Sequence, residues 1–248
     1  MKTFSVTDIG RRRNMNQDYF FTSEMPVGNL PNLFIVADGM GGHNAGEYAS
    51  KHATDCIVET AQQSKSTEPV KILEEAIKKA NDEIYQMAEK EPSMKGMGTT
   101  IVACVIDGKR LYAANVGDSR LYIINREICQ VTWDHSLVEE MVRLGEMDKE
   151  TAREHPDRNI ITRAVGAAQE VEIDFFEEEI DIEDEILLCS DGLTNMIEDE
   201  EIRRIVKSQR DIAEITEKLV FRANQNGGRD NITVVVIHPF SDEVNGKW

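Results

Sequence analysis

The chain has 248 residues, 40% of them hydrophobic and 30% charged, which is the composition of an ordinary folded protein rather than a disordered or fibrous one. Asp and Glu outnumber Lys and Arg by 46 to 28, giving a formal charge of −18, so the chain lacks the positive footprint that a nucleic-acid partner needs. No apolar run reaches the roughly 20 residues of a membrane span, and the opening MKTFSVTDIGRRRN has no apolar signal core, so the expectation is a cytoplasmic protein with no membrane partner.

In chain order, Thr3 to Val6 and Asp18 to Thr22 read as strands separated by the basic, amide-rich turn TDIGRRRNMNQD. The apolar run Leu33 to Ala37 is a third strand. A helix is expected from about Ala45 to Gln62. After the linker SKSTEP a second helix carries Ile72, Leu73, Ala76, Ile77, Ala80, Ile84, Met87 and Ala88 on one face. Beyond Pro92, TTIVACVI, RLYAANV, SRLYIIN and EICQVTW read as one antiparallel meander. A helix near Ser136 to Leu144 leads into a polar excursion. Strands Val171 to Phe176 and Glu185 to Ser190, helices near Asp199 to Val206 and Ile212 to Asn224, and a last strand Asn231 to His238 complete the chain.

Hairpins dominate and helices come in pairs. The expected fold class is therefore α+β, two mostly antiparallel sheets packed face to face with helix pairs outside. No repeat or low-complexity linker interrupts the pattern, so residues 1–248 are expected to form one domain. Cys56, Cys104, Cys129 and Cys189 lie scattered in apolar runs and are expected to be buried free thiols. The acidic runs Glu177 to Glu179 and Glu198 to Glu201 read as solvated surface.

Four aspartates share one context. Asp38 follows FIVA, Asp118 follows YAANVG, Asp191 follows ILLCS, and Asp230 precedes NITVVVI. In antiparallel neighbours the end of one strand lies beside the start of the next, so these carboxylates can converge on one rim. Asp18 adds a fifth. Each alone is ordinary turn chemistry; five in one pattern point to bound cations, because convergent carboxylates cannot all stay ionised without them. Oxygen ligands without sulfur favour Mg²⁺ or Mn²⁺ over zinc, and such a cluster could hold two ions roughly 3.5–4 Å apart. Arg11, Arg12 and Arg13 offer a guanidinium for a phosphate, or a solvated basic turn.

The segments TDIGRRRNMNQD, VADGMGGHNAGEYAS, MGTTIV, NVGDSR, TWDHS, HPDRNIITRAVG, LCSDGL and GGRDNITVVV resemble, in order, the motif series of the protein phosphatase 2C (PPM) family, and in particular its bacterial single-domain serine/threonine phosphatases. The resemblance runs from about Thr7 to Val236. It implies a central β-sandwich flanked by helix pairs, and a metal-dependent phosphoric monoester hydrolase of bacterial signalling. Phosphoserine and phosphothreonine in proteins would be hydrolysed by direct attack of a water or hydroxide bridging two Mn²⁺ or Mg²⁺ ions. Carried over by motif, Asp38 and the Gly39 carbonyl, Asp191 and Asp230 are metal ligands, and Asp18 contributes directly or through water. Asp118, with Asp191, resembles the ligands of a third, weaker ion. Arg13 looks like the phosphate-binding arginine, and Gly145 to Ala168 like a flap beside the active site. Eukaryotic relatives carry a histidine directly after Asp-Gly; here that position is Met40, and His43 is the bacterial counterpart, as a general acid or as a loop-holding group. His52, His135, His155 and His238 read as structural. Phosphoprotein substrates, an opposing serine/threonine kinase and a monomeric state are the implied partners and assembly.

Two rivals bear on this expectation. Cys104 to Arg110 fits the C-x₅-R spacing of thiolate phosphatases, but its flanks are strands around an Asp-Gly turn and not a phosphate-cradling loop before a helix. A metal-free, binding-only relative is the other rival, although every matched ligand position is filled here.

Overall fold

The computed structural model describes residues 1–42, 44–208 and 211–241. Its strands are β1 (Lys2–Asp8), β2 (Asp18–Ser23), β3 (Leu33–Met40), β4 (Gly98–Thr99), β5 (Ile101–Asp107), β6 (Arg110–Val116), β7 (Arg120–Ile124), β8 (Ile128–Gln130), β9 (Asp174–Glu179), β10 (Glu185–Cys189) and β11 (Ile232–His238). Its α-helices are α1 (Ala45–Gln63), α2 (Pro69–Lys90), α3 (Leu137–Arg143), α4 (Lys149–Glu154), α5 (Asp191–Thr194), α6 (Asp199–Ser208) and α7 (Ile212–Gln225). One sheet has the order β1-β11-β10-β7-β8; the other is β2-β3-β5-β6-β9, with β4 pairing β3.

The apolar runs, too continuous for half-exposed strands, are buried on both faces. Leu33, Ile35 and Ala37 of β3 pack with Ile101, Ala103 and Val105 of β5 against α1 and α2. The alternate residues Phe34, Val36, Val102 and Cys104 face inward, toward Leu121, Ile186, Leu188, Val235 and Ile237 of the other sheet. That sheet turns Leu187, Cys189, Val234 and Val236 outward, onto Ile205, Ile215 and Leu219 of α6 and α7. Three apolar interfaces thus join four layers in the order helices, sheet, sheet, helices. This burial explains why an antiparallel sheet here lacks the usual polar face.

Local chemistry sets several boundaries. The Ser136 hydroxyl accepts from the Glu139 amide to start α3, and Asp211 accepts from the Ala213 amide to start α7. The polar excursion contains α4, a helix that no apolar periodicity announces; Asp148 accepts from the Thr151 amide at its N-terminus.

Four expectations are corrected. The meander is broken, because β5 and β6 pair in one sheet whereas β7 and β8 pair in the other. At the break, Gly117 has φ +109°, a conformation that frees the chain to step between layers. The strand expected at Val171 to Phe176 runs instead over β9, an outer strand where the exposed Glu177, Glu178 and Glu179 are tolerated and Glu177 pairs with Arg110. Cys129 is exposed on the short outer strand β8, while Cys56, Cys104 and Cys189 are buried free thiols. The run Glu198 to Glu201 is more than solvated surface: Glu198, Glu200 and Glu201 pair with Arg153, Arg203 and Arg222, and Asp199 accepts from Tyr122.

Candidate active site

The carboxylates converge on one end of the sandwich. Asp18 and Asp38 are cross-strand partners on β2 and β3. Asp191 follows the end of β10, and Asp230 precedes β11, whose Val234 is registered with Cys189 of β10. Asp118 sits in the crossing between β6 and β7. Asp38 lies within electrostatic reach of Asp18, Asp191, Asp118 and Asp230 alike. Asp191, a turn residue by its sequence context, opens the short helix α5.

Close packing of backbone against backbone makes the site rigid. A side chain on Gly39 would overlap the Gly46 carbonyl of α1, and one on Gly192 would overlap the Asn231 carbonyl. Asp38 donates its amide to the Thr100 hydroxyl, and its carbonyl accepts from the Thr100 amide and the Thr99 hydroxyl, all at 2.9 Å. Asn231 staples the arginine turn: its side-chain amide donates to the Ile9 and Met15 carbonyls, and its side-chain oxygen accepts from the Gln17 amide at 2.8 Å. Arg13 emerges from that turn, half-exposed, and donates to Asp230 at 2.8 Å. Beside the crossing, Arg120 grips Asp134 through both nitrogens of its fork. His135 accepts from the Gly117 amide through Nδ1 and so presents Nε2–H to Asp174 at 3.0 Å, which clamps the loop before Asp118.

Desolvation dominates the charge balance. It pushes the Asp18 carboxyl up to about 7, with the hydroxyls of Thr233 and Ser190 pulling down and the charges of Asp191 and Asp230 pushing up. Desolvation, then the Asp230 charge, pushes Asp191 up to about 6, while a side-chain hydrogen bond with Asp38 and the Arg120 charge act the other way. Asp38 and Asp118 are raised for the same reasons, desolvation first and neighbouring carboxylates second.

Among the described residues, no three Asp, Glu, His or Cys side chains are already gathered into a formed metal-ligating group. Two oxygens nonetheless fit a cation. Asp18 Oδ1 and Asp191 Oδ1 are both buried and without a hydrogen-bond partner, inside a set of mutually repelling carboxylates. Orphaned anionic oxygens at this position are what a hard divalent ion would satisfy.

Of the residues singled out from the sequence, Asp18, Asp38, Gly39, Asp118, Asp191, Asp230 and Arg13 lie together at this end; His43 falls outside the described residues. A cavity of about 1070 Å³ opens beside Asp118 and Asp191 and is lined by Trp133, Arg153 and His155. Cys104 is fully buried in a hairpin where Asp107 faces Arg110, and burial pushes its thiol up, so no thiolate nucleophile exists there. Sequence reasoning overlooked the hydroxyl and amide residues that hold the aspartates: Ser190, Thr233, Thr100, Ser119 and Asn231. Ser119 and Asn231 directly follow an aspartate and Ser190 directly precedes one, whereas Thr100 and Thr233 carry no such local signal.

A four-layer α+β sandwich with carboxylates and a guanidinium gathered at one end offers oxygen ligands for divalent ions beside a grip for a phosphate. The family model for protein phosphatase 2C matches residues 9–232, and the chain belongs to that family; it is a serine/threonine protein phosphatase acting on phosphoproteins. It is 44% identical over 236 residues to the serine/threonine phosphatase stp of Listeria monocytogenes, covering 93% of each chain. It is 41% identical over 242 residues to protein phosphatase PhpP of Streptococcus pneumoniae, covering 96% of this chain and 97% of that one. The crystal structure of the serine/threonine phosphatase Stp1 from Staphylococcus aureus superposes with TM-score 0.89 at 37% identity, over 95% of this chain and 93% of that one. The catalytic domain of the phosphatase PstP, in complex with two manganese ions, superposes with TM-score 0.84 at 33% identity, over 95% of this chain and 96% of that one.

Proposed function

We propose that this phosphatase requires Mn²⁺ or Mg²⁺, and that Asp38, the Gly39 carbonyl, Asp191 and Asp230 hold two ions with Asp18 beside them. Asp118 and Asp191 take a third, weaker one. The observation that carries this reading is the pair of buried, unpartnered oxygens, Asp18 Oδ1 and Asp191 Oδ1, among carboxylates that repel one another. The manganese pair in the PstP structure supports the same count. Bound there, the ions would supply charge neutralisation, Lewis acidity toward a phosphoryl oxygen and an acidified water.

The chain's own residues do the remainder. The Arg13 guanidinium exchanges its hydrogen bond to Asp230 for the phosphate oxygens of the substrate. Thr99 and Thr100 fix the Asp38 backbone, so that its carboxylate is oriented before substrate arrives. His43 stays the candidate proton donor to the leaving alkoxide. In this reading residues 1–248 act as one domain and a monomer in the cytoplasm, with residues 145–168 as a flap, opposing a serine/threonine kinase in bacterial signalling.

Hydrolysis of p-nitrophenyl phosphate and of a phosphothreonine peptide, with and without added Mn²⁺ or Mg²⁺, tests the reading. Turnover is expected only with the ion. Full activity in excess chelator would refute it.

A further inference from the structure

Asp18 is tied to the opposite sheet. Its carboxylate belongs to β2, yet both hydrogen bonds to Oδ2 come from the other sheet: the Ser190 hydroxyl just past β10, and the Thr233 hydroxyl of β11, each at 2.7 Å. The second oxygen, Oδ1, is buried and has no partner. Two donors on one oxygen and none on the other is an uneven arrangement for a buried carboxylate, since both oxygens carry equal charge.

The donors are themselves held. The Ser190 hydroxyl accepts from the Thr233 amide at 3.0 Å, which leaves its single proton for Asp18. The Thr233 hydroxyl likewise spends its proton on Asp18, so its contact with the Thr7 hydroxyl at 2.8 Å is one in which Thr7 donates. Thr7 sits opposite Thr233 in the β1–β11 register and in turn accepts from the Asn16 side chain at 2.8 Å. Proton directions are therefore set along the whole line from Asn16 through Thr7 and Thr233 to Asp18. Ser190, Thr233 and Asp18 are all buried.

We infer that Ser190 and Thr233 are positioning residues: by saturating Asp18 Oδ2 from the facing sheet, they turn Oδ1 toward the carboxylate cluster and keep it free to meet a cation. The inference rests on the metal-dependent reading above and says which groups outside the ligand set tune the affinity. Partners that orient a ligand from behind, when removed, characteristically weaken metal binding by roughly 10- to 100-fold.

The test uses the full chain. Mn²⁺ binding is measured by titration calorimetry on the wild type and on Thr233→Val, Thr233→Ser and Ser190→Ala, with thermal unfolding in chelator to establish that each variant is folded. Thr233→Val removes the proton but keeps the shape. Its Mn²⁺ affinity is expected to fall about tenfold or more, Thr233→Ser to recover it, and Ser190→Ala to weaken binding similarly. At saturating Mn²⁺, KM for a phosphothreonine peptide stays near the wild-type value, while the Mn²⁺ concentration giving half-maximal activity rises. A folded Thr233→Val variant with wild-type Mn²⁺ affinity overturns the inference, as does a Thr233→Ser variant as weak as Thr233→Val. If neither Thr233→Val nor Ser190→Ala folds in chelator, the hydroxyls serve to join the sheets and the inference falls. A wild type that binds no Mn²⁺ sinks the metal-dependent reading instead.

Discussion

Asp38 and Asp191 carry charge that the metal-free fold holds at a disadvantage, because desolvation and neighbouring carboxylates oppose ionisation of both. Asp38→Asn and Asp191→Asn should therefore abolish turnover and yet leave the chelated protein at least as stable as wild type. Thermal melts in chelator beside phosphopeptide assays in Mn²⁺ check this pair of outcomes; a variant that loses both activity and folding would mean the carboxylates are structural. Arg13 lies half-exposed at the same end and donates to Asp230. Arg13→Ala is expected to raise KM more than it lowers kcat, and an unchanged KM would pass the phosphate-binding role to another group such as Arg12. Besides its carbonyl, Gly39 matters through its lack of a side chain. Gly39→Ala drives a methyl into the Gly46 and Gln17 carbonyls, an overpacking that costs roughly 1–3 kcal/mol, to be read from urea unfolding.

At the scale of elements, the segment between α3 and β9 buries few apolar side chains of its own, Ala152, Ala164 and Val165. Isolated pairings fasten it to the sandwich, Thr99 to Val165 and Ser136 to Ile161. Its far end depends on one amide of α2. Asn81, 1% exposed, accepts from the Gly166 amide and donates to the Ala168 and Gln169 carbonyls. Asn81→Ala leaves those buried backbone groups without partners and should cost about 1–3 kcal/mol by denaturant unfolding. Amide exchange should accelerate across residues 160–169 before it does so in β3 or β11. Uniform acceleration over the whole chain would contradict a local role for Asn81. The helix α4 within this segment is hidden in the sequence because its six residues carry no apolar periodicity; only its Asp148 cap marks it.

At the scale of the molecule, the raised carboxyls link stability to pH. An ordinary aspartate titrates near 4, whereas the fold holds Asp18 at about 7 and Asp191 at about 6. Between these values the folded chain keeps protons that the unfolded chain has released. The stabilisation is therefore full below about pH 4 and is lost as pH rises through 6 to 7. Every tenfold gain in proton affinity on folding is worth about 1.4 kcal/mol, enough to read as a Tm in chelator that falls by several degrees, at roughly 2–4 °C per kcal/mol. Saturating Mn²⁺ should flatten this slope and release protons on binding near pH 6 to 7. A chelated Tm that is flat or rising over this range would show that burial and neighbouring charges do not raise these carboxyls in the fold.

What the chain determined by itself was the inventory. The doubly buried runs LFIVA, ILLC and ITVVVI mark central strands because apolar side chains on both faces need cover on both sides. The carboxylates at their ends stand out because a charge next to such a run can lie only at its rim. What tertiary structure alone decided was which sheet each strand joins and which neighbour each polar group meets. The step of β7 into the facing sheet is invisible locally, since β6 and β7 have the same composition as strands that pair. The bonds of Ser190 and Thr233 to Asp18 span 172 and 215 residues of chain. A hydroxyl in a strand carries the same local signal whether it meets a carboxylate or a carbonyl, and only the closing of the two sheets chooses between them.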